Sequence, residues 1–417
     1  MTSEYEPWHI GHALRHGAPP PTAPGAQVPL GEHRLAPTPD KPTTPPDAGG
    51  VLPSAPEGPL PRPMTPGTWA APGGEGGVRA FTVWSEQVPG QGEDAEPFVA
   101  HHEQTRQGLL AVFDGSGGAG SAPAWQSPAG SWHTGAWVGS RVARLATDCW
   151  FREVSLDPDW AEPESLHDYV QWFLSRAPQR RSKIGGTMRR QLPTTVAGVY
   201  YRLHDEGFVV LQPLWAGDSR AYTLHPHDGL QVLTRDHTRE SDTLELLRSD
   251  PPMTNLASAD REFVIDSQRL NPFSLPVVLV AATDGFFGYV HTPGDFEAVL
   301  LETLVRAANE QEWADLVRRE VRRYTADDAS LALVAIGHPS FAALRDAYAP
   351  RLAELRDRQG RNRPRALDRS PRAVDSGAAP EDPAHLGSRV RAWQDQSWHA
   401  YRGAYETYLP AASEEHA

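Results

Sequence analysis

Asp114, Asp284, Asp327 and the pair Glu93-Asp94 are the side chains whose types and placement suggest chemistry. Asp114 follows the apolar run Leu109 to Phe113, and Asp284 closes a second run, Pro276 to Ala282, after Thr283. Each is succeeded by glycine, as Asp114-Gly115 and Asp284-Gly285. An acid at the mouth of a strand buried on both faces, with a glycine that lets the backbone come close, is one way to hold a hard cation. The same Asp-Gly pair after an apolar run is also an ordinary turn signal. Asp327 is placed the other way round: with Asp328 it precedes the strand Ser330 to Ile336, while Glu93-Asp94 lies in a loop ahead of the Asp114 strand. Strands that leave and strands that enter put such acids at the same end of a sheet when they run antiparallel. Carboxylates that close repel one another unless they are protonated or neutralised by cations. With a single cysteine and no H-E-x-x-H helix, oxygen-rich ligation points to Mg²⁺ or Mn²⁺. Two such ions bridged by one carboxylate generate a water nucleophile and clamp a phosphate.

The elements that position these acids read as a mixed, mostly antiparallel fold. Phe81 to Trp84 and Phe98 to Ala100 are the first strands expected, followed by the Asp114 strand. From Thr134 the pattern turns helical, with Val138, Val142, Leu145 and Cys149 on one stripe, and Leu166, Val170, Phe173 and Leu174 mark a second helix. Thr195 to Leu203 and Phe208 to Trp215 form a hairpin across HDEG, with Pro213 marking a bulge or an edge. Gly217-Asp218-Ser219-Arg220 then leads into Ala221 to Leu224, and HPHDG into Leu230 to Leu233, which reads as an antiparallel meander rather than a βαβ series. Two helices, one through Phe296, Leu300 and Leu304 and one through Trp313, Leu316 and Val321, separate Asp284 from Asp327.

Composition frames the rest. Residues 1–77 are dominated by Pro, Gly, Ala, Ser and Thr, so a disordered arm with polyproline-like stretches is expected, either a tether or a ligand for a proline-recognising partner. Residues 338–385 comprise a short helical piece and an Arg-rich linker. Residues 386–417 carry a helix with Trp393, Trp398, Tyr401, Tyr405 and Tyr408 three to five apart, a stripe suited to docking on the core at 78–337. A net charge of -14 argues against nucleic acid. No apolar run is long enough to span a membrane, no signal peptide is visible, and the one cysteine, Cys149, suits a small core residue in a reducing compartment. A cytoplasmic protein is the expectation.

The order of motifs resembles the metal-dependent serine/threonine protein phosphatases, the type 2C or PPM family. The matching pieces are GEDA at 92–95, VFDGSGG at 112–118, PTTVAGV at 193–199, AGDSRAYTL at 216–224, LTRDHT at 233–238, ATDGFFG at 282–288 and DDASLALV at 327–334. The resemblance implies an α+β fold, a four-layer α-β-β-α sandwich of two antiparallel sheets flanked by helices, with two Mg²⁺ or Mn²⁺ ions at one end. By position, Asp114 would bridge both ions and the Gly115 carbonyl would ligate one. Asp284 and Asp327 would hold the other ion, and Asp94 would act mainly through metal-bound water, so that Asp114 and Asp94 carry the chemistry. Asp328 ranks below Asp327, and Asp218 is read as support for its turn. The activity implied is hydrolysis of phosphoserine and phosphothreonine in a phosphorylated protein by direct water attack. The alternative is a degenerate phosphatase that binds a phosphoprotein or other partner without turnover. Two departures stand out: Ser116 replaces a histidine of eukaryotic relatives, and Val88 to Asp94 lacks the arginine that many relatives use to hold phosphate. Arg79, Arg106, Arg189 and Arg190 are the candidates to supply that cation from elsewhere. The stretch from Thr238 to Phe263 is short, so a reduced substrate-facing flap is expected.

Overall fold

Alternation along the buried strands sets the layering. The computed structural model describes residues 68–70, 77–156, 161–177, 190–249, 251–360, 363–364, 367 and 383–411, all within the unit Pro61–Ala417. The greater part of the Pro-rich arm, the basic stretch 178–189 and most of the Arg-rich linker lie outside the described residues. In chain order the strands are β1 (Thr68–Ala70), β2 (Val78–Ser85), β3 (Phe98–His102), β4 (Gln107–Val112), β5 (Pro123–Gln126), β6 (Trp132–Thr134) and β7 (Val196–Leu203). They continue with β8 (Phe208–Ala216), β9 (Arg220–His225), β10 (Gly229–Val232), β11 (Asp266–Ser267), β12 (Phe273–Ser274), β13 (Val277–Ala282) and β14 (Ala329–Ile336). The helices are α1 (Gly117–Gly120), α2 (Gly135–Val154), α3 (Pro163–Arg176), α4 (Thr243–Leu246), α5 (Asp284–Phe287), α6 (Pro293–Arg306), α7 (Glu310–Val321), α8 (Phe341–Gly360) and α9 (Pro383–Tyr405).

The strands pair antiparallel into one sheet ordered β1-β2-β14-β13-β9-β10 and a second ordered β11-β8-β7-β4-β3, with β12 also on β8 and β5–β6 as a separate hairpin. On β13, Val277, Leu279 and Ala281 face the second sheet and meet Leu110, Val112 and Val199, while Val278, Val280 and Ala282 face α6, α7 and α8 through Leu300, Val317 and Tyr348. The far side of the second sheet is covered by α2, where Phe98 meets Phe151 at 6.2 Å and Tyr200 meets Trp150 at 6.4 Å, both edge-on. The four layers are therefore helix, sheet, sheet, helix, as expected. Trp393, Trp398, Tyr401 and Tyr405 of α9 are buried; Trp398, Tyr401 and Tyr405 join the core on the β13 side, and the Tyr405 ring lies tilted 6.2 Å from Tyr222 of β9. Cys149 is half-buried on α2 rather than in the core. No helix among the described residues is long and apolar enough to cross a membrane.

Two expectations change. The stretch after β8 is not a meander: β8 pairs with β7 in one sheet, whereas β9 pairs with β13 and β10 in the other, so Gly217 to Ser219 carries the chain between sheets. Gly217 has φ +102°, and a Cβ there would stand 2.7 Å from the Thr195 methyl, so only glycine makes this corner without strain. For the same reason Asp114 and Asp284 do not share one sheet. They close strands of different sheets and meet at the same end of the sandwich. Pro213 fits the edge reading, since β11 pairs only with Trp215 and Leu214 and β12 only with Val209 and Phe208 on that side of β8. β1, ten residues ahead of the start expected at Val78, pairs with β2 through Thr68 and Phe81.

Candidate metal and phosphate site

Asp114 is fixed through its backbone before its side chain does anything. Its N–H donates to Thr195 Oγ1 at 3.1 Å, and its carbonyl accepts from Thr194 Oγ1 and from the Thr195 N–H, each at 2.8 Å. Thr195 Oγ1 in turn pairs with Ser219 Oγ at 2.7 Å, which ties the β4 exit to the sheet-crossing corner that carries Asp218. Gly115 packs so tightly that a Cβ would lie 2.6 Å from both the Ala136 and the Glu93 carbonyl oxygens. The glycine is there for close approach, and its neighbours are the loop and helix that complete the site.

Asp94 sits on the loop from β2 to β3, another crossing between sheets, and is buried. Its Oδ2 accepts from Thr283 Oγ1 at 2.9 Å, and Thr283 is itself held by the Ser330 N–H at the start of β14. Asp284 opens α5 directly after β13. Asp114 lies close enough to Asp94 and to Asp284 for their charges to act on one another, so the three carboxyls form a contiguous group. Removal from water pushes all three well above the usual carboxylate range, and the neighbouring acids add to it: Asp94, Asp218 and Asp327 on Asp114, and Asp114, Asp218 and Asp327 on Asp284. For Asp94 the neighbours are Asp284 and Asp328, partly opposed by the Thr283 hydroxyl. Asp327 is exposed at the rim, with Tyr289 Oη donating to its Oδ2 at 3.5 Å.

The acids beside this group do something else. Asp328 accepts the backbone N–H of Gln87 at 2.8 Å and of Glu93 at 2.6 Å, clamping the loop that carries Asp94. Glu93 accepts from Thr134 Oγ1 at 2.5 Å, the same hydroxyl that caps α2 through the Trp137 N–H. Arg141, one turn further along α2, donates to the carbonyls of Gly92 at 3.0 Å and Glu93 at 3.3 Å and lies 4.0 Å over the Trp137 ring. Burial lowers this guanidinium to about 10. No sequence signal separates it from an ordinary polar-face arginine; its Trp-x-x-x-Arg spacing to Trp137 is the one trace of the stack.

The structure thus brings Asp94, Asp114, Gly115 and Asp284 together, with Asp327 at the rim and Asp218 close to Asp114 and Asp284. A Gly-Asp-Ser-Arg turn by itself does not announce that approach, because Asp218 stands where the chain passes from one sheet to the other. Asp218, Asp284 and Asp327 line one cavity of about 330 Å³ together with Arg220, Asp236, Arg248, Phe287 and Tyr289. The arginines expected to replace the missing cation are engaged elsewhere: Arg79 with Glu310, Arg106 with Asp205, and Arg190 with the Leu256 carbonyl. Arg189 lies outside the described residues.

The donor set fits a hard divalent cation. It is all oxygen, its carboxyls crowd until they favour protonation, and a cation among them would remove that penalty. Among the described residues no three His, Cys, Asp or Glu side chains stand as a ready cage.

A sandwich of two antiparallel sheets between helices, with aspartates gathered at one end, is the class of protein that the fold and site define. No family profile matches the chain, and no curated protein matches it by sequence. The solved structures it is similar to include PPM-type serine/threonine phosphatases. One is the serine/threonine phosphatase Stp1 from Staphylococcus aureus, at 20% identity over 66% of this chain and 98% of that one, with a TM-score of 0.44. Another is the catalytic domain of the serine threonine protein phosphatase PstP in complex with two manganese ions, at 16% identity over 62% and 98%, with a TM-score of 0.40. PppA, a regulatory component of T6SS in Pseudomonas aeruginosa, is similar at 20% identity over 62% and 97%, with a TM-score of 0.43.

Proposed function

We propose that the protein is a metal-dependent phosphoric monoester hydrolase that acts on phosphoserine and phosphothreonine in proteins. The observation that carries this reading is the convergence of Asp94, Asp114, Asp218 and Asp284 from connections at one end of both sheets, beside a cavity whose wall includes Asp284 and Asp327. In this reading Asp94, Asp114, the Gly115 carbonyl, Asp284 and Asp327 hold two Mg²⁺ or Mn²⁺ ions. Such ions, when bound, offset phosphate charge and activate water for in-line attack. Thr195 and Ser219 fix the direction of Asp114, Thr283 fixes Asp94, and Asp328 with Arg141 holds the loop between them. Residues 78–337 form the phosphatase domain in this proposal, the segments before and after it being accessory.

A second reading, a partner-binding protein without turnover, is favoured by one observation. Arg141, the cation beside the Asp94 loop, is spent on loop carbonyls, and among the described residues Arg79, Arg106 and Arg190 are engaged elsewhere as well. Hydrolysis of a phosphopeptide panel with Mn²⁺, and with chelator as control, separates the two. Chelator-sensitive turnover supports the hydrolase; phosphopeptide binding without turnover supports the alternative.

A further inference from the structure

The cavity beside the acids has two arginines in its wall, and a distant segment of the chain holds one of them. Arg248, just past α4, lines it together with Asp284 and Asp327. Its guanidinium donates to Glu245 Oε1 and to Asp395 Oδ1, each at 2.7 Å, with Gln394 Oε1 at 3.5 Å. Asp395 and Gln394 belong to α9, whose Arg402 also donates to Asp242 at 2.9 Å, and Thr243 Oγ1 donates to Glu406, the residue after the helix, at 3.3 Å.

The other arginine on this wall is not available to a ligand. Arg220 forms a bidentate pair with Asp236, both side chains are buried, and its head lies 4.3 Å over Phe287. The partners of Arg248 are open by comparison, Glu245 being 49% and Asp395 61% exposed. An ion pair that open to water contributes little, so an incoming carboxylate supported by other contacts displaces it readily. Arg248 and the acids Asp218, Asp284 and Asp327 line the same cavity, while the guanidinium's own hydrogen-bond partners are Glu245 and Asp395. A phosphoryl group held at the acids leaves Arg248 to its neighbours in the substrate.

Resting on the phosphatase reading above, we propose that Arg248 is a specificity-determining residue that reads an acidic side chain flanking the phosphorylated residue, and that Asp395 of the C-terminal helix occupies its place in the free protein. The test uses the full chain and labelled phosphopeptides that carry either aspartate or alanine at the positions flanking the phosphoserine. Binding is read by fluorescence anisotropy and hydrolysis is followed with Mn²⁺, with p-nitrophenyl phosphate as the small ester. Arg248→Ala is expected to weaken the acidic peptide about tenfold and to leave the neutral peptide and the small ester unchanged. Asp395→Asn, which keeps the guanidinium and the helix, is expected to tighten the acidic peptide a few-fold and serves where the alanine variant fails to fold. Equal loss on acidic and neutral peptides, a matching rise in KM for the small ester, or an Asp395→Asn variant indistinguishable from wild type would overturn the proposal. If no ester is hydrolysed but acidic peptides still bind through Arg248, the hydrolase reading fails and the assignment of Arg248 stands.

Discussion

Asp94, Asp114 and Asp284 are held together against their own charge, and that has measurable consequences for single residues. Asp114→Asn and Asp284→Asn are each expected to abolish Mn²⁺-dependent hydrolysis, because in the proposed metal site each removes a ligand charge, while circular dichroism in metal-free buffer stays unchanged. Wild-type turnover in either variant would remove these residues from the metal site. The same carboxyls set the pH response of the metal-free protein. Their values in the fold are raised above the ordinary unfolded value of about 3.9. The fold therefore binds protons that the unfolded chain releases, and the stability this supplies is present below about pH 4 and lost as pH rises through the raised values. With chelator, calorimetry is expected to give a lower Tm at pH 8 than at pH 5.5. The gap should narrow in Asp114→Asn, and Mn²⁺ should raise Tm more at pH 8. An identical gap in wild type and Asp114→Asn would show that other groups set the response.

At the scale of elements, the site depends on chain crossings between sheets rather than on any one strand. Gly217 is the sharpest of these, with φ +102° and Thr195 against it. Gly217→Ala is expected to destabilise by about 1–3 kcal/mol, the cost of holding a side chain in that backbone region, and to lower kcat by moving Asp218 and the Thr195–Ser219 pair that orients Asp114. Urea unfolding and steady-state kinetics on the same variant check both halves; a variant with unchanged midpoint and rate would mean the corner tolerates a Cβ. These crossings also mark where the sequence stops being legible. The cores of β4 and β13 were readable because their apolar runs are unbroken, and the acids after them were readable because glycine follows. Which sheet each strand joins was not, since a Gly-Asp-Ser turn signals a change of direction without naming the partner strand. Arg141 and Arg248 were invisible for a related reason: each looks like a solvated arginine until a distant loop or helix closes on it.

For the whole molecule, the sandwich and its C-terminal helix account for the site without the Pro-rich arm. Trp398 and Tyr405 join the core against α6 and β9, and α9 reaches the segment around Arg248, so the C-terminal helix is part of the folded unit. The arm is a different case. Its composition is dominated by Pro, Gly, Ala, Ser and Thr, from which little contribution to a core is expected. Deleting residues 1–60 keeps β1, whose pairing with β2 extends the sheet. This truncation is expected to leave kcat/KM for p-nitrophenyl phosphate within a few-fold of the full chain. Toward a protein substrate whose partner recognises proline-rich segments, the truncated protein should lose rate, because the arm then raises local concentration without touching the chemistry. Measuring both substrates on both proteins tests this directly. A truncated protein that is insoluble, or that loses activity toward the small ester to the same extent as toward the protein, would place the arm within the folded catalytic unit.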